Sequence, residues 1–201
     1  MKTTYHFDLS TYCLIVLSFF CGLYKKIIIL YFIILFHELG HLIILRYYHI
    51  PVKSVTIYPF GGYIKTESLL NHSIIPSLLI ACGGVLYLIL LFLIVLLFYK
   101  YRLISITTYN IFLTSNFYLL VFNLLPLIPL DGSKIIHLLL ESLFPYHLSY
   151  VIYEIIGLIS FFLFTIYLFP TKLNYIILLF FLNVMNFLLD NKKVIANLGQ
   201  I

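Results

Sequence analysis

The chain has 201 residues, of which 63% are hydrophobic and only 9% are charged. This composition excludes a soluble globular protein, and the length allows one domain. The formal net charge is +5, yet the 12 Lys and Arg residues stand singly or in pairs at the ends of apolar runs. That distribution argues against nucleic-acid binding and is typical of membrane topology signals.

Six apolar runs predict membrane-spanning helices, because an α-helix satisfies its own backbone groups across about 30 Å of hydrocarbon. In chain order they are 9–23, 27–45, 77–99, 104–125, 151–169 and 173–189. The first is short, and we interpret it as a spanning or anchoring helix because no small-x-small cleavage site follows it. The predicted fold class is therefore an all-α polytopic membrane protein.

The second run carries His37-Glu38-Leu39-Gly40-His41, an H-E-x-x-H sequence. Residues i and i+4 share one face of a helix, so both imidazoles can grip one ion while Glu38 reaches its bound water. Zinc suits this arrangement, because a catalytic zinc takes three protein ligands and keeps one position open for water. Ionisable groups within a spanning helix are costly and usually mark a site. The sequence therefore predicts two zinc ligands and, in Glu38, a general base.

The long segment after the second run alternates apolar and polar residues over 52–65, around Pro59-Phe60-Gly61-Gly62. This period of two predicts a small membrane-associated β-hairpin whose exposed edge could recruit an extended peptide. A plain membrane-interface loop is the alternative.

The predicted zinc site needs a third ligand. The candidates are the other carboxylates and histidines, among them Asp131, Glu67, Glu141, Glu154 and Asp190. The second and fourth spans end on the same side of the membrane, so His41 and Asp131 approach the same side. Pro126 and Pro129 break the fourth helix and let irregular backbone line a polar cavity. Topology favours Asp131, although Asp131-Gly132 alone would be an ordinary turn.

Residues 132–144 predict an amphipathic helix at the membrane interface, ended before Pro145. With six spans both termini share a side, which collects seven of the twelve Lys and Arg residues. The positive-inside bias therefore predicts cytoplasmic termini and a cytoplasmic opening of the site.

The combination of H-E-L-G-H, P-F-G-G and N-L-L-P-L-I-P-L-D-G, within residues 27–143, resembles the site-2 protease family of intramembrane zinc metalloproteases. It is most similar to the branch of the stage IV sporulation protease FB, which processes pro-sigma-K. The resemblance implies one Zn²⁺ held by His37, His41 and Asp131, with Glu38 as the catalytic base and Asn123 assisting.

The same resemblance implies that Phe60, Gly61 and Gly62 help to admit or hold substrate. The chain departs from the family pattern at Ala81-Cys82-Gly83-Gly84, where A-G-P is usual. It is expected to be a single intramembrane metalloprotease domain, 1–201, with its core at 27–143 and without a CBS or PDZ domain.

The leading hypothesis is a zinc-dependent endopeptidase that cleaves a membrane-associated protein, by resemblance a sporulation sigma-factor precursor. Its expected partners are that substrate, membrane inhibitory or regulatory proteins and the lipid bilayer, without nucleic acid. Its expected location is a bacterial membrane, in the sporulation branch the outer membrane around the forespore, facing the mother cell. The alternatives are a site-2 protease homologue with another substrate, a membrane metal transporter or metal-binding protein, and a catalytically silent relative.

Overall fold

A computed structural model describes residues 4–58, 61–66, 73–127 and 130–168. The chain divides into two compact units, one from Met1 to Asn123 and the other from Leu124 to Ile201. The predicted sixth span at 173–189 lies outside the described residues, as do Pro59, Phe60 and Pro129.

The first unit contains three strands and four helices. They are β1 (Thr4–Phe7), α1 (Leu9–Phe20), α2 (Tyr24–Tyr47), β2 (Val52–Tyr58), β3 (Gly61–Thr66), α3 (Ile74–Lys100) and α4 (Ile106–Leu124). The second unit contains α5 (Asp131–Leu143) and α6 (Tyr146–Leu168), which pack against each other.

Three described helices, α2, α3 and α6, are long and apolar enough to cross a membrane. The helix α1 has 12 residues, or about 18 Å of rise, and is too short to cross about 30 Å of hydrocarbon alone. The helix α4 is 19 residues long but carries seven Thr, Ser and Asn side chains, which lower its hydropathy. The predicted polytopic fold is confirmed, although these two runs are less suited to spanning than the sequence analysis assumed.

The sheet has the order β1-β2-β3. β2 and β3 pair antiparallel, with Ile57 opposite Gly62, which confirms the predicted hairpin. β1 pairs parallel to β2, with Thr4 opposite Ser54 and Phe7 opposite Ile57. The strand β1 was not predicted, because its partner residues lie fifty positions further along the chain.

The helix α2 is the centre of the first unit. On one side Tyr31 and Ile34 pack against Val55 and Ile57 of β2. On another, Ile33 packs against apolar residues of α3 (Leu88, Leu91 and Val95), with side chains of α4 around them. Because α2 is enclosed in this way, polar side chains near its middle are shielded from solvent.

Candidate metal centre

The three polar residues of the H-E-x-x-H sequence are all buried in α2. His37 is 5% exposed, Glu38 6% and His41 7%. Isolated ionisable groups are not stable in such surroundings, so their side chains need partners or an ion. The observed burial therefore agrees with the predicted site.

The two imidazoles of α2 face each other in a geometry that suits one metal ion. The Nε2 atoms of His37 and His41 are 3.2 Å apart, and the ring planes are nearly perpendicular at 84°. Two nitrogens that bind a tetrahedral zinc at about 2.0–2.1 Å are separated by roughly 3.4 Å. The spacing of the pair fits Zn²⁺ without any movement of the backbone.

The backbone of α3 orients His41. The distance from Nδ1 of His41 to the carbonyl oxygen of Ile80 is 2.7 Å. A carbonyl can only accept, so Nδ1–H is the donor and the Nε2 lone pair is left for a metal. The ring is thus held in the tautomer that a ligand needs.

Glycines on α3 make room for the histidines. A Cβ on Gly84 would lie 2.2 Å from Cε1 of His37 and 2.5 Å from Nε2 of His41. A Cβ on Gly40 of α2 would lie 2.3 Å from the carbonyl oxygen of Gly83. The small-residue run on α3, seen in the sequence as a departure from A-G-P, therefore lets the two helices approach closely enough for the imidazoles to lie against backbone.

The β-hairpin reaches Glu38, the predicted general base. The backbone N–H of Gly62 in β3 donates a hydrogen bond of 2.9 Å to Oε1 of Glu38. The neighbouring Gly61 has open space where a Cβ would be. Phe60, the third predicted substrate-binding residue, lies outside the described residues.

In the second unit, Asp131 is the first residue of α5 and is 4% exposed. Its Oδ1 accepts a hydrogen bond of 3.0 Å from Nζ of Lys134. The chain before it folds back tightly, since a Cβ on Gly132 would lie 2.3 Å from the carbonyl oxygen of Leu124. This fold explains the Asp-Gly pair, because a larger residue than glycine does not fit there.

The other residues singled out in the sequence occupy ordinary surroundings. The Nδ2 of Asn123 donates 3.0 Å to the carbonyl of Leu119, one turn earlier in α4. His137 lies 3.7 Å from Glu141 and packs against Tyr153, with ring centroids 4.7 Å apart. Among the competing third ligands, Glu141 is thus engaged within α5, while Glu67 and Asp190 lie outside the described residues.

Comparison with known proteins finds similar sequences and a similar fold. Residues 25–104, which include His37, Glu38 and His41, match the sequence model of peptidase family M50. Stage IV sporulation protein FB of Bacillus subtilis is 31% identical over 130 residues. The solved site-2 protease of Methanocaldococcus jannaschii shares the fold, with a TM-score of 0.68 and 22% identity, over 92% of this chain and 89% of that chain. Residues 25–104 are thus similar to peptidase family M50, and the chain has the fold of a site-2 protease.

A second curated relative is a zinc metalloprotease of M. jannaschii, 27% identical over 122 residues. The aligned segments are 65% and 59% of this chain, but only 45% of the sporulation protein and 35% of the archaeal protein. The chain thus spans less than half the length of the curated relatives it matches.

Zn²⁺ is the cofactor that this donor set takes. Two neutral imidazoles, one of them oriented by a backbone carbonyl, are borderline ligands of the kind that zinc prefers. A carboxylate lies next to them in sequence, as it does in zinc hydrolases with an H-E-x-x-H helix.

Proposed function

We propose that the chain is a zinc-dependent intramembrane endopeptidase that cleaves a membrane-associated protein. The observation that carries the proposal is the buried pair of imidazoles at zinc-ligand spacing with Glu38 between them on α2. A packing cluster of apolar helices has no need of three ionisable groups within five residues. The match to peptidase family M50 and the similarity to stage IV sporulation protein FB support the same activity.

We propose Asp131 as the third ligand. Asp131 is buried. It is the first residue of α5 and follows a tightly folded segment that contains proline. Two imidazoles and one carboxylate leave the fourth zinc position open, which is the arrangement of a catalytic site. Purified Asp131→Ala should lose tight zinc binding in a metal assay, whereas Glu141→Gln should bind zinc as the wild type does. Full zinc affinity in Asp131→Ala would rule out this ligand.

The residues of α2 would divide the work of hydrolysis. Bound zinc supplies a water of lowered pKa and polarises the scissile carbonyl. Glu38 takes the proton from the attacking water on a carboxylate oxygen and returns it to the nitrogen of the leaving amine. His37 and His41 would hold the ion from their buried positions on α2.

Within this activity we propose a sporulation sigma-factor precursor, similar to pro-sigma-K, as the substrate. The support is the similarity to stage IV sporulation protein FB. We further propose that Phe60, Gly61 and Gly62 help to hold substrate, that Asn123 assists, and that the site opens to the cytoplasm, on the mother-cell side of the forespore membrane. Another membrane substrate is the alternative.

Co-expression with a candidate precursor tests the activity. Wild-type protein should produce the shortened product, Glu38→Gln should produce none, and Glu141→Gln should behave as the wild type because Glu141 pairs with His137 on α5. Equal cleavage by wild type and Glu38→Gln would reject the mechanism. Cleavage of unrelated membrane proteins, but not of a sigma-factor precursor, would keep the activity and reject the substrate.

A further inference from the structure

The hydrogen bond between β3 and α2 gives Gly62 a task of its own. Its N–H points at Oε1 of Glu38 over 2.9 Å, and Glu38 is almost fully buried. A buried carboxylate needs donors, and a bond from a backbone N–H to a charged oxygen is short and directional. We propose, resting on the endopeptidase function above, that Gly62 is a positioning residue that holds the carboxylate of Glu38 in its proton-transferring orientation.

The hairpin is fixed to the helix that carries the base. Gly62 pairs with Ile57 of β2, and Ile57 packs against Ile34 of α2. Ile34 lies one helical turn before Glu38, on the same face. The strand pair and the base are therefore parts of one packed cluster, which places the Gly62 amide with respect to the carboxylate.

A side chain at position 62 would displace Glu38. A Cβ there would lie 2.4 Å from Cδ and 2.6 Å from Cγ of Glu38. A methyl group would push the carboxylate aside, and small displacements of a catalytic group can reduce a rate by about 10- to 100-fold. The backbone amide and the missing side chain thus act together on one carboxylate.

Kinetics of Gly62→Ala test this role. We expect kcat to fall at least about 10-fold while zinc affinity stays near wild type, because the metal ligands are not displaced. Gly157→Ala is the matched control, since a Cβ on Gly157 meets nothing within 4 Å. A kcat within about 2-fold of wild type in Gly62→Ala would overturn the proposal.

A double-mutant cycle with Glu38→Asp separates positioning from general damage to the hairpin. The shorter aspartate withdraws from the space that the new methyl group would fill. Adding Gly62→Ala to Glu38→Asp should therefore cost much less than the same change costs in wild type. Equal, additive losses would contradict a contact between the two positions.

An NMR measurement tests the same contact in protein that cleaves no substrate. In protein labelled with ¹⁵N-glycine, the Gly62 amide proton should resonate downfield in wild type and move upfield in Glu38→Ala, with Gly157 unchanged. An unmoved Gly62 resonance would refute the positioning role. A wild-type protein that shows this shift but cleaves no substrate would refute the proposed function and retain the contact, so the two failures are distinguishable.

Discussion

Gly84 shows how one missing side chain makes a metal centre possible. The imidazoles of His37 and His41 both lie against the backbone of α3 at this position, closer than any Cβ would allow. The rigid backbone of α3 cannot yield as a flexible side chain would. The placement of the two imidazoles therefore depends on a residue that has no side chain.

Gly84→Ala should weaken zinc binding at least about 10-fold, because the methyl group displaces both imidazoles from ligand spacing. Zinc content at buffered free zinc concentrations measures the effect. Gly157→Ala provides the control, because open space surrounds that position. Unchanged zinc affinity in Gly84→Ala would mean that the imidazoles do not occupy these positions when zinc is bound.

The placement of the two histidines on one helix face could be predicted from the sequence, whereas their surroundings could not. The i, i+4 spacing places His37 and His41 on one face in any α-helix, so local geometry suffices for that prediction. The carbonyl of Ile80 and the amide of Gly62 act through contacts between separate elements. Every residue carries the same backbone carbonyl and, apart from proline, the same amide. The residue types therefore gave no signal for these two contacts.

At the scale of elements, α2 is held against α3 in two ways. The two backbones approach closely at one point, and apolar side chains pack at another. Gly40 and Gly83 bring the backbones of α2 and α3 into contact. Small residues serve this purpose in membranes, where hydrophobic burial gives little drive to helix association. Ile33 and Leu88, both fully buried, extend the contact toward the other end of α2.

The stability of α1 should depend on pH through its N-terminal cap, Asp8. Asp8 caps the helix by accepting a hydrogen bond of 3.0 Å from the Ser10 amide, and it also accepts one from the Ser10 hydroxyl. The Ser10 side chain first, and then its amide, lowers the pKa of Asp8 from its ordinary value of 3.8. A lowered pKa means that the cap stabilises the helix fully above about pH 4 and is lost as the pH falls through the lowered value.

Asp8→Ala should lower the unfolding temperature at pH 7, and its difference from wild type should shrink below about pH 4. Thermal unfolding in detergent across this pH range measures the effect. Asp8→Asn, which keeps an accepting oxygen and does not titrate, should make this cap independent of pH. A difference between Asp8→Ala and wild type that stays constant down to about pH 2 would show that the carboxylate charge plays no part.

Most elements could be predicted from apolar periodicity and chain breaks, because each depends on neighbouring residues. The predicted helix at 77–99 is observed as Ile74–Lys100, and the interfacial helix at 132–144 as Asp131–Leu143. The strand β1 could not be predicted, because four exposed residues have no pattern of their own and are ordered by pairing with β2. The polar residues of α4 are evident in the sequence. Their partners are not, and only the structure shows that Asn116 donates to the carbonyl of Leu88.

At the scale of the whole molecule, zinc should contribute to folding as well as to chemistry. Two buried imidazoles 3.2 Å apart are held together more favourably when an ion lies between them. A ligand that binds only the folded state stabilises it by about 4 kcal/mol at a concentration 1,000 times its Kd. Metal content and unfolding temperature should therefore change together.

Removal of zinc with a chelator should lower the unfolding temperature in detergent, and added Zn²⁺ should restore it. The double variant His37→Ala/His41→Ala should respond to neither treatment, because its metal ligands are gone. A wild-type unfolding temperature that is indifferent to the chelator, in protein shown to have lost its zinc, would contradict this coupling.

The parallel pairing of β1 with β2 sets an order on biosynthesis. Residues 4–7 leave the ribosome before their partners at 54–57, which follow only after α1 and α2 have been made. The first strand must therefore wait, unpaired, while two apolar helices enter the bilayer. The strands β1 and β2 lie at the same end of the α1–α2 helix pair. A nascent chain with β1 on the opposite side of the membrane from β2 could not complete its sheet.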